Sequence, residues 1–269
     1  MAPKKKDAKK KDAKGPEDDQ GMLQANQFVK KGFPTACADR GIEPLNLQID
    51  RGEEGTSAFL RIAVHPGLCL DGKSPACTSL HVRALMEALM PYAYLLRLAF
   101  WSVPVRDDGA QAIGAFLAAN RSLLTLELTD AGLGVPACKF LGEALERNST
   151  LQTLRLDHNS GIGPAGVELL GDSLRMNLGL SNLSLTFCGL DGEPASAAIT
   201  SRLLKAPAIK VLELKGNRFG LGGVLHLLEV RGRRGGARAP HVRAGTHIPC
   251  ARIPYALCKR ACETARPLR

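Results

Sequence analysis

The sequence predicts an α/β solenoid, a stack of short strand–helix units with parallel strands on a concave face and helices on a convex face. A core pattern LxxLxL recurs along the chain, and each copy is followed by a stretch with helical periodicity. The copies start at Ala93, Leu123, Leu151, Leu180 and Ile209, with spacings of 30, 28, 29 and 29 residues. Near-equal spacing over four successive steps predicts a stack of repeats, in which each unit contacts its neighbours.

The first half of each unit alternates with a period of two, which is typical of a strand. In the third unit Leu154 and Leu156 are expected to point into the core, whereas Arg155 and Asp157 point outward. The equivalent pairs of the other units are Leu96 and Leu98, Leu126 and Leu128, Leu183 and Leu185, and Leu212 and Leu214. The strands should therefore lie side by side in one parallel sheet.

The second half of each unit predicts a helix. Pro136, Pro164 and Pro194 each stand 13 or 14 residues after a repeat start, and proline suits the first helical turn because its missing N–H has no partner there. From that point apolar residues recur every three or four positions, as Val167 and Leu170 do. These helices should close the core from the side opposite the strands.

A period of 28 to 30 residues with a full convex helix resembles the ribonuclease-inhibitor class of leucine-rich repeats, whose pattern is LxxLxLxxN or LxxLxLxxC. At the Asn-or-Cys position this chain has Trp101, Ala131, Asn159, Cys188 and Asn217. The helices should end at Asn120, Asn148 and Asn177. The resemblance implies an interaction scaffold and leaves its partner open. Trp101 and Ala131 cannot supply the family's backbone-capping side chain, so we expect an irregular N-terminal end.

Four segments follow from these patterns. Residues 1–30 form a Lys-rich head, which should be disordered because it has almost nothing apolar to bury. Residues 31–92 form a degenerate capping region with strand-like runs at Phe59, Ile62 and Val64 and an amphipathic helix. The repeats occupy residues 93–230, and an Arg-rich tail, expected to be disordered, occupies residues 231–269.

The two ends account for the basic character of the chain. Residues 1–14 carry a net charge of +5 and residues 231–269 a net +9, so the remainder is at −4 within a total of +10. The head could contact a polyanion such as a microtubule, nucleic acid or an anionic membrane, act as a nuclear-import signal, or be a solubilising tail. The tail could be a genuine Arg-rich segment or the product of an intron or alternative reading frame.

The sequence gives little support for catalysis or cofactors. His247, Cys250, Cys258 and Cys262 offer zinc-type ligand atoms, but their spacing is irregular and favours free thiols in a reducing compartment. No nucleotide-binding loop or nucleophile elbow is present in the sequence. His158 stands beside Asp157 at a strand end, and such a pair is better explained as two ordinary surface residues than as a catalytic pair. We therefore expect neither an enzyme nor a cofactor, small-molecule substrate or membrane span.

With catalysis and cofactors set aside, the function that the sequence favours is recognition of a partner by the concave face. The outward positions of the strands carry charges of both signs, which favours a protein of mixed surface charge over nucleic acid. Aromatic side chains dominate interface energies, so Phe100, Trp101 and Phe187 are candidate anchors, although Trp101 could instead be a buried end-cap residue. The candidate binding residues are Arg97, Phe100, Glu127, Asp130, Arg155, Asp157, His158, Phe187, Glu213 and Lys215.

Two functions fit such a body. The Lys-rich head and the stretch AYLLRLAFWSVPVRDDGAQAIGAFL are similar to cilium- and flagellum-associated members of this repeat class, which implies a structural role in the axoneme. Similar repeats also form the GTPase-activating proteins of the Ran system, for which Arg97 and Arg155 would be the candidate arginines. The expected location is the cytoplasm or the axoneme, with the nucleus as the alternative.

Overall fold

The structure, a computed structural model, describes residues 23, 25, 27–50, 60–64, 76–233 and 241–243. The predictions for the Lys-rich head up to residue 22, for Phe59, for the tail cysteines and for most of the Arg-rich tail lie outside these residues. The described part forms a single eight-stranded sheet with helices packed along one side.

The strands lie in the sheet in their sequence order. They are β1 (Gln48–Asp50), β2 (Leu60–Val64), β3 (Leu95–Trp101), β4 (Thr125–Thr129), β5 (Thr153–Arg155), β6 (Asn182–Ser184), β7 (Val211–Glu213) and β8 (His241–Arg243). Strand β1 is antiparallel to β2, and every later pair is parallel.

A helix follows nearly every parallel strand. A π-helical turn (Phe28–Gly32) leads into α1 (Phe33–Ala38). The later helices are α2 (Ser79–Leu89), α3 (Arg106–Ala119), α4 (Val135–Arg147), α5 (Gly163–Leu174), α6 (Gly192–Ser201) and α7 (Gly220–Arg233), with a 3₁₀ turn at Leu203–Lys205. A sequence of parallel strands joined by helices is the solenoid that the repeats predict.

The predicted core leucines of repeats two to five are buried. Leu154 and Leu156 are fully enclosed, and so are Leu126 and Leu128 in the strand beside them. The helices contribute the other half of the core; Val167 and Leu170 of α5, for example, are also fully buried. The prediction of a continuous core between a strand layer and a helix layer is therefore confirmed.

The register of the first repeat differs from the prediction. Leu98 lies opposite Leu126 and Phe100 opposite Leu128, so the LxxLxL pattern reads Leu95, Leu98, Phe100 and the repeat starts at Leu95 rather than at Ala93. This register encloses all three side chains completely. The predicted one would have placed Leu95 and Phe100 on the solvent side, and burying their apolar surface is worth several kcal/mol.

A row of left-handed residues confirms the corrected register. Immediately after each strand region one residue has φ between 51° and 71°. These residues are Ser102, Asp130, His158, Phe187 and Gly216. Their regular spacing shows that all five units leave the sheet through the same backbone turn.

Asparagine side chains connect consecutive turns after the strands. Asn159 donates from Nδ2 to the carbonyls of Leu128 (2.7 Å) and Leu156 (2.9 Å), and its Oδ1 accepts from the N–H groups of Ala131 and Leu133. Asn217, two repeats further on, makes the equivalent bonds to the carbonyls of Leu185 and Leu214. Cys188 holds this position in the repeat between them, and its thiol donates a hydrogen bond to the Leu156 carbonyl at 3.1 Å. Buried backbone groups need such partners because water cannot reach them.

The same position in the first two units is apolar. With the corrected register it falls on Val103 and Ala131, both buried, and not on Trp101. The predicted irregularity at the N-terminal end is therefore present, but with Val103 in place of Trp101. Here Asp107 Oδ1 accepts hydrogen bonds from the N–H groups of Gly134 and Ala137 at the start of α4.

A second asparagine ladder lies where the helices end. Asn148 donates to the carbonyls of Leu117 (2.7 Å) and Asn120 (2.9 Å), and Asn177 donates to those of Leu145 and Asn148, both at 2.7 Å. The Oδ1 atom of each accepts from the backbone N–H groups two and three positions further along the chain, which turns the chain into the next strand. The predicted helix ends near Asn120, Asn148 and Asn177 are confirmed.

The N-terminal end of the core is covered by α1, α2 and the β1–β2 pair. Phe28, Phe33 and Cys37 are buried against the core. His81 in the first turn of α2 accepts hydrogen bonds at Nδ1 from the Thr78 N–H (3.1 Å) and hydroxyl (2.7 Å), and Nε2 donates to the Glu43 carbonyl (3.0 Å). This histidine therefore attaches residues 41–47 to α2.

At the other end, part of the segment predicted to be a tail belongs to the fold. Helix α7 extends to Arg233, and β8 pairs with β7 through residues 241–243, where Val242 packs against the core. The expectation of a disordered tail from residue 231 thus fails for these residues. Leucine periodicity missed them because a three-residue strand with one apolar side chain carries no such pattern.

The four described cysteines are buried and reduced. Burial raises the pKa of Cys138 and of Cys188 to about 12, so both thiols stay protonated at neutral pH. They serve as small core residues.

Candidate functional site

The concave face consists of the strand side chains that point away from the helices and of the residue that follows each strand. Read across β3 to β7, it has four rows. The rows are Arg97, Thr125, Thr153, Asn182 and Val211; Ala99, Glu127, Arg155, Ser184 and Glu213; Trp101, Thr129, Asp157, Thr186 and Lys215; and Ser102, Asp130, His158, Phe187 and Gly216.

One predicted site residue is not on this face. Phe100 is fully buried in the core opposite Leu128, so it cannot be a partner-binding anchor. The shift of the first repeat by two residues explains the error and places Trp101 on the concave face instead, partly exposed. The alternative of a buried end-cap tryptophan is therefore wrong as well.

In the N-terminal part of the face the charged side chains bind each other. Arg97 Nη2 lies 2.9 Å from Glu127 Oε1, and Trp101 Nε1 donates to Glu127 Oε2 at 3.0 Å. The Arg97 guanidinium also stands 5.5 Å from the centre of the Trp101 ring, within cation–π range. Because the Glu127 side chain is only 8% exposed, these two donors are what make its burial tolerable.

A polar network fills the middle of the face. Asp157 Oδ1 accepts hydrogen bonds from the Ser184 hydroxyl (2.5 Å) and the Thr186 N–H (3.0 Å). The Ser184 oxygen also lies 3.5 Å from Glu213 Oε2. Asp157 thus holds the backbone of the neighbouring repeat in place, while Glu213 stays half-buried at the edge of the network.

Arg155 differs from Arg97 in that it projects from the middle of the face into solvent. It borders a groove of about 300 Å³, whose floor includes Asn182 and Ser184 and whose far side is formed by Val211 and Glu213. A groove with a guanidinium on one side and a carboxylate on the other can bind a polar segment of mixed charge. Lys215 and Asp130 are also exposed nearby.

The exit turns carry an exposed aromatic platform. The rings of His158 and Phe187 stack with their centroids 4.8 Å apart and an interplanar angle of 21°. Phe187 is 49% exposed although it is a large apolar side chain. Gly216 makes room for it, because a Cβ atom at this position would lie 2.4 Å from the Phe187 ring. The fold therefore holds this ring at the surface of the concave face.

Three further observations concern metals, membranes and His158 in the described residues. Within them, no group of three or more His, Cys, Asp and Glu residues could hold a metal ion. None of the described helices is long and apolar enough to cross a membrane. His158, considered with Asp157 as a pair, stacks on Phe187 rather than bonding to the carboxylate of its neighbour.

Sequence comparison agrees with the repeat architecture. A family profile described as Leucine Rich repeat matches residues 147–171. The ribonuclease inhibitor of Sus scrofa is 34% identical over 105 residues, which cover 39% of this chain and 23% of that protein. The fold of the chain is that of a leucine-rich-repeat solenoid. The match of the ribonuclease inhibitor supports the repeat class that the 28–30-residue period indicated.

Longer leucine-rich-repeat proteins match as well. The NACHT, LRR and PYD domains-containing protein 4E of Mus musculus is 26% identical over 193 residues, which cover 70% of this chain and 20% of that protein. The NACHT, LRR and PYD domains-containing protein 13 of Homo sapiens is 31% identical over 164 residues, which cover 60% of this chain and 15% of that protein. The chain therefore spans a fifth or less of the length of these relatives.

Among solved structures, the Leiomodin-1 Actin-Binding Site 2 superimposes with a TM-score of 0.38 at 18% identity, covering 58% of this chain and 73% of that chain.

Proposed function

We propose that this protein is a non-enzymatic scaffold that binds a protein partner along the concave face of its leucine-rich repeats. The observation that carries the proposal is the stacked pair of His158 and Phe187 beside the exposed Arg155. An apolar ring that is 49% exposed keeps a large part of its surface available to a partner. Aromatic and arginine side chains in such positions are the residues that dominate protein–protein binding energies.

The expected partner surface follows from the chemistry of this region. A carboxylate would pair with Arg155, and an aliphatic or aromatic side chain would pack on the Phe187 ring. Lys215 and Asp130 at the rim, with opposite charges, would set orientation rather than affinity. The partner is therefore a protein of mixed surface charge, as the sequence suggested.

Within this proposal we place the protein in the cytoplasm, in the axoneme of cilia or flagella. The support is the resemblance of the repeat stretch 93–117 and of the Lys-rich head to axonemal members of the class. Such a head would add salt-sensitive contact with the acidic surface of microtubules. Fractionation of the native protein between cytosol, nucleus and axoneme, with identification of its co-purifying partner, tests this placement.

The alternative of a Ran-type GTPase-activating protein would need a free arginine positioned on a loop. Arg97 is engaged with Glu127 and Trp101, and Arg155 projects from β5 itself. Neither arrangement favours this function. An unchanged GTP hydrolysis rate of Ran in the presence of the full chain is the expected result.

The binding proposal is tested by replacing Arg155 and Phe187 together with alanine. Affinity for the co-purified partner, measured by calorimetry, should weaken by about 2 kcal/mol or more because both anchors are lost. The matched control replaces Lys139 and Leu169, a charged and an apolar side chain exposed on the convex helices. If the control weakens binding as much as the test variant, or if neither does, the concave face is not the binding site.

A further inference from the structure

One edge of the solenoid is formed by the turns that lead from each helix into the next strand. We call this the strand-entry edge; its turns are residues 90–94, 118–122, 146–150, 175–179 and 204–208. The ladder residues Asn120, Asn148 and Asn177 are buried in these turns. The residues immediately before and after each of them are exposed, so these flanking positions face solvent along the whole edge.

The turn around Asn177 departs from the others. Its flanking residues are Met176, which is 78% exposed, and Leu178, which is 75% exposed. They are the two most exposed large apolar side chains of the described residues. The equivalent flanks elsewhere are small, polar or proline: Ala119 and Arg121, Arg147 and Ser149, and Lys205 and Pro207.

These two side chains contribute nothing to the fold, because they bury little surface. The turn is made by the Asn177 amide, through its bonds to Leu145, Asn148, Gly179 and Leu180, and by backbone hydrogen bonds at its start. Met90 in the first turn of the edge is 44% exposed, and Met176 and Leu178 protrude further than it does. A protruding pair of large apolar residues is typical of a surface that is covered in some bound state. The pair protrudes from a tight turn, so its binding partner must accept two side chains rather than fill a groove.

The charges around the pair identify the kind of partner. Four of the five charged residues in the turns of this edge are basic: Arg121, Arg147, Arg175 and Lys205, against Glu146. A second copy of this chain would bring like charges face to face in a two-fold contact, which is unfavourable. An anionic lipid surface, in contrast, attracts basic side chains and accepts apolar ones among its headgroups.

We propose that the strand-entry edge docks on an anionic membrane surface. Met176 and Leu178 insert between the lipid headgroups, while Arg147, Arg175 and Lys205 lie at the level of the phosphates. The site is separate from the concave face, so a membrane-bound chain keeps Arg155 and Phe187 accessible for a protein partner. The leucine-rich repeats would then carry that partner to a membrane.

The test uses the full chain and sedimentation with phosphatidylcholine vesicles that contain or lack phosphatidylserine. The wild-type chain should bind the vesicles with phosphatidylserine, and Met176→Ser with Leu178→Ser should weaken this binding about tenfold by removing the inserted groups. The basic head is present in every variant, so its salt-sensitive contribution cancels in the comparison. The difference should persist at raised salt.

The matched control is Leu80→Ser with Leu221→Ser, which removes two exposed leucines, each 44% exposed, from the first turns of α2 and α7. Their loss should leave vesicle binding unchanged, and so should Arg155→Ala with Phe187→Ala. Equal loss in the control, or no loss in the test variant, overturns the proposal. A dimer that light scattering detects in the wild type and not in the test variant would assign the edge to a second copy instead.

A gain-of-signal variant provides a second measurement. Leu178→Trp keeps a large apolar group at the insertion point and places a fluorophore there. Its emission should shift to the blue when vesicles with phosphatidylserine are added, relative to the wild-type chain with Trp101 as its single tryptophan. An unshifted spectrum with vesicles bound would show that another surface of the chain contacts the lipid.

Discussion

The N-terminal and C-terminal halves of the concave face place the same kinds of side chain on the same backbone and use them in opposite ways. On β3 and β4, Arg97, Trp101 and Glu127 bind one another. On β5 and β6, Arg155 and Phe187 project into solvent. An arginine on a repeat strand is therefore not a binding residue by position alone; what decides is whether a neighbouring strand supplies its partner.

The two halves also differ in the side chains that hold the backbone turns after the strands. The turns after β5, β6 and β7 are held by Asn159, Cys188 and Asn217, whose polar atoms reach the neighbouring backbone. The turns after β3 and β4 have the apolar Val103 and Ala131 instead. In the C-terminal half the ladder side chains and Asp157 hold the backbone, so Arg155, His158 and Phe187 remain available to a partner.

The largest effect is expected from Leu156→Asp, which breaks the laddered half at its core. A carboxylate would enter a fully enclosed apolar site, and the free energy of unfolding should fall by at least about 4 kcal/mol. Circular dichroism should show lost ellipticity and a collapsed melting temperature. Leu169→Asp on the convex surface, where leucine is 37% exposed, should change the melting curve little; an unaffected Leu156→Asp protein would contradict the repeat register.

A smaller loss should follow from Asn159→Ala, which removes the ladder bonds. Two carbonyls and two N–H groups then lack their partner, and urea unfolding should show a loss of about 3 kcal/mol. Cys188→Ala, which removes a weak thiol bond, should cost only about 1 kcal/mol. Equal losses at the two positions would mean that the ladder amide is not what stabilises these turns.

The sequence predicted the repeats from Leu123 onward correctly because their leucines fit one register. The stretch AYLLRLAFW fits two registers, since Leu96 with Leu98 and Leu98 with Phe100 both satisfy the strand pattern. Both registers point Leu98 inward and differ in whether Phe100 belongs to the strand or to the turn after it, so alternation could not distinguish them. The misplacement of Phe100 and Trp101 follows from that ambiguity.

Which residues lie on the concave face could be predicted more easily than which of those residues bind each other. Nine of the ten predicted site residues lie on the concave face, with Phe100 as the exception. Which charges neutralise each other depends on diagonal contacts, such as that of Arg97 with Glu127, whose strand positions are not directly opposite. The exposed Met176 and Leu178 had a sequence signal, since other repeats carry small or polar residues beside the ladder asparagine, but the strand pattern drew attention to the concave positions.

The smallest expected effect is a pH-dependent loss of stability in the N-terminal cap, which the laddered repeats should not share. Burial lowers the pKa of His81 below its ordinary value of 6.5, and the hydrogen bond from Nε2 to the Glu43 carbonyl offsets part of that shift. The folded state therefore binds this proton less readily than the unfolded state. The contribution of neutral His81 to stability is complete above about pH 6.5 and is lost as the pH falls below that value.

Protonation of His81 would place an N–H at Nδ1, where the Thr78 N–H now donates, so residues 41–47 should loosen first. Protection factors of peptides from this segment, taken relative to the intrinsic amide exchange rate at each pH, should then fall on acidification, while those of β6 and β7 stay high. His81→Gln, which can accept the same bond without titrating, should abolish the pH response; a response that persists in this variant would assign it to another group.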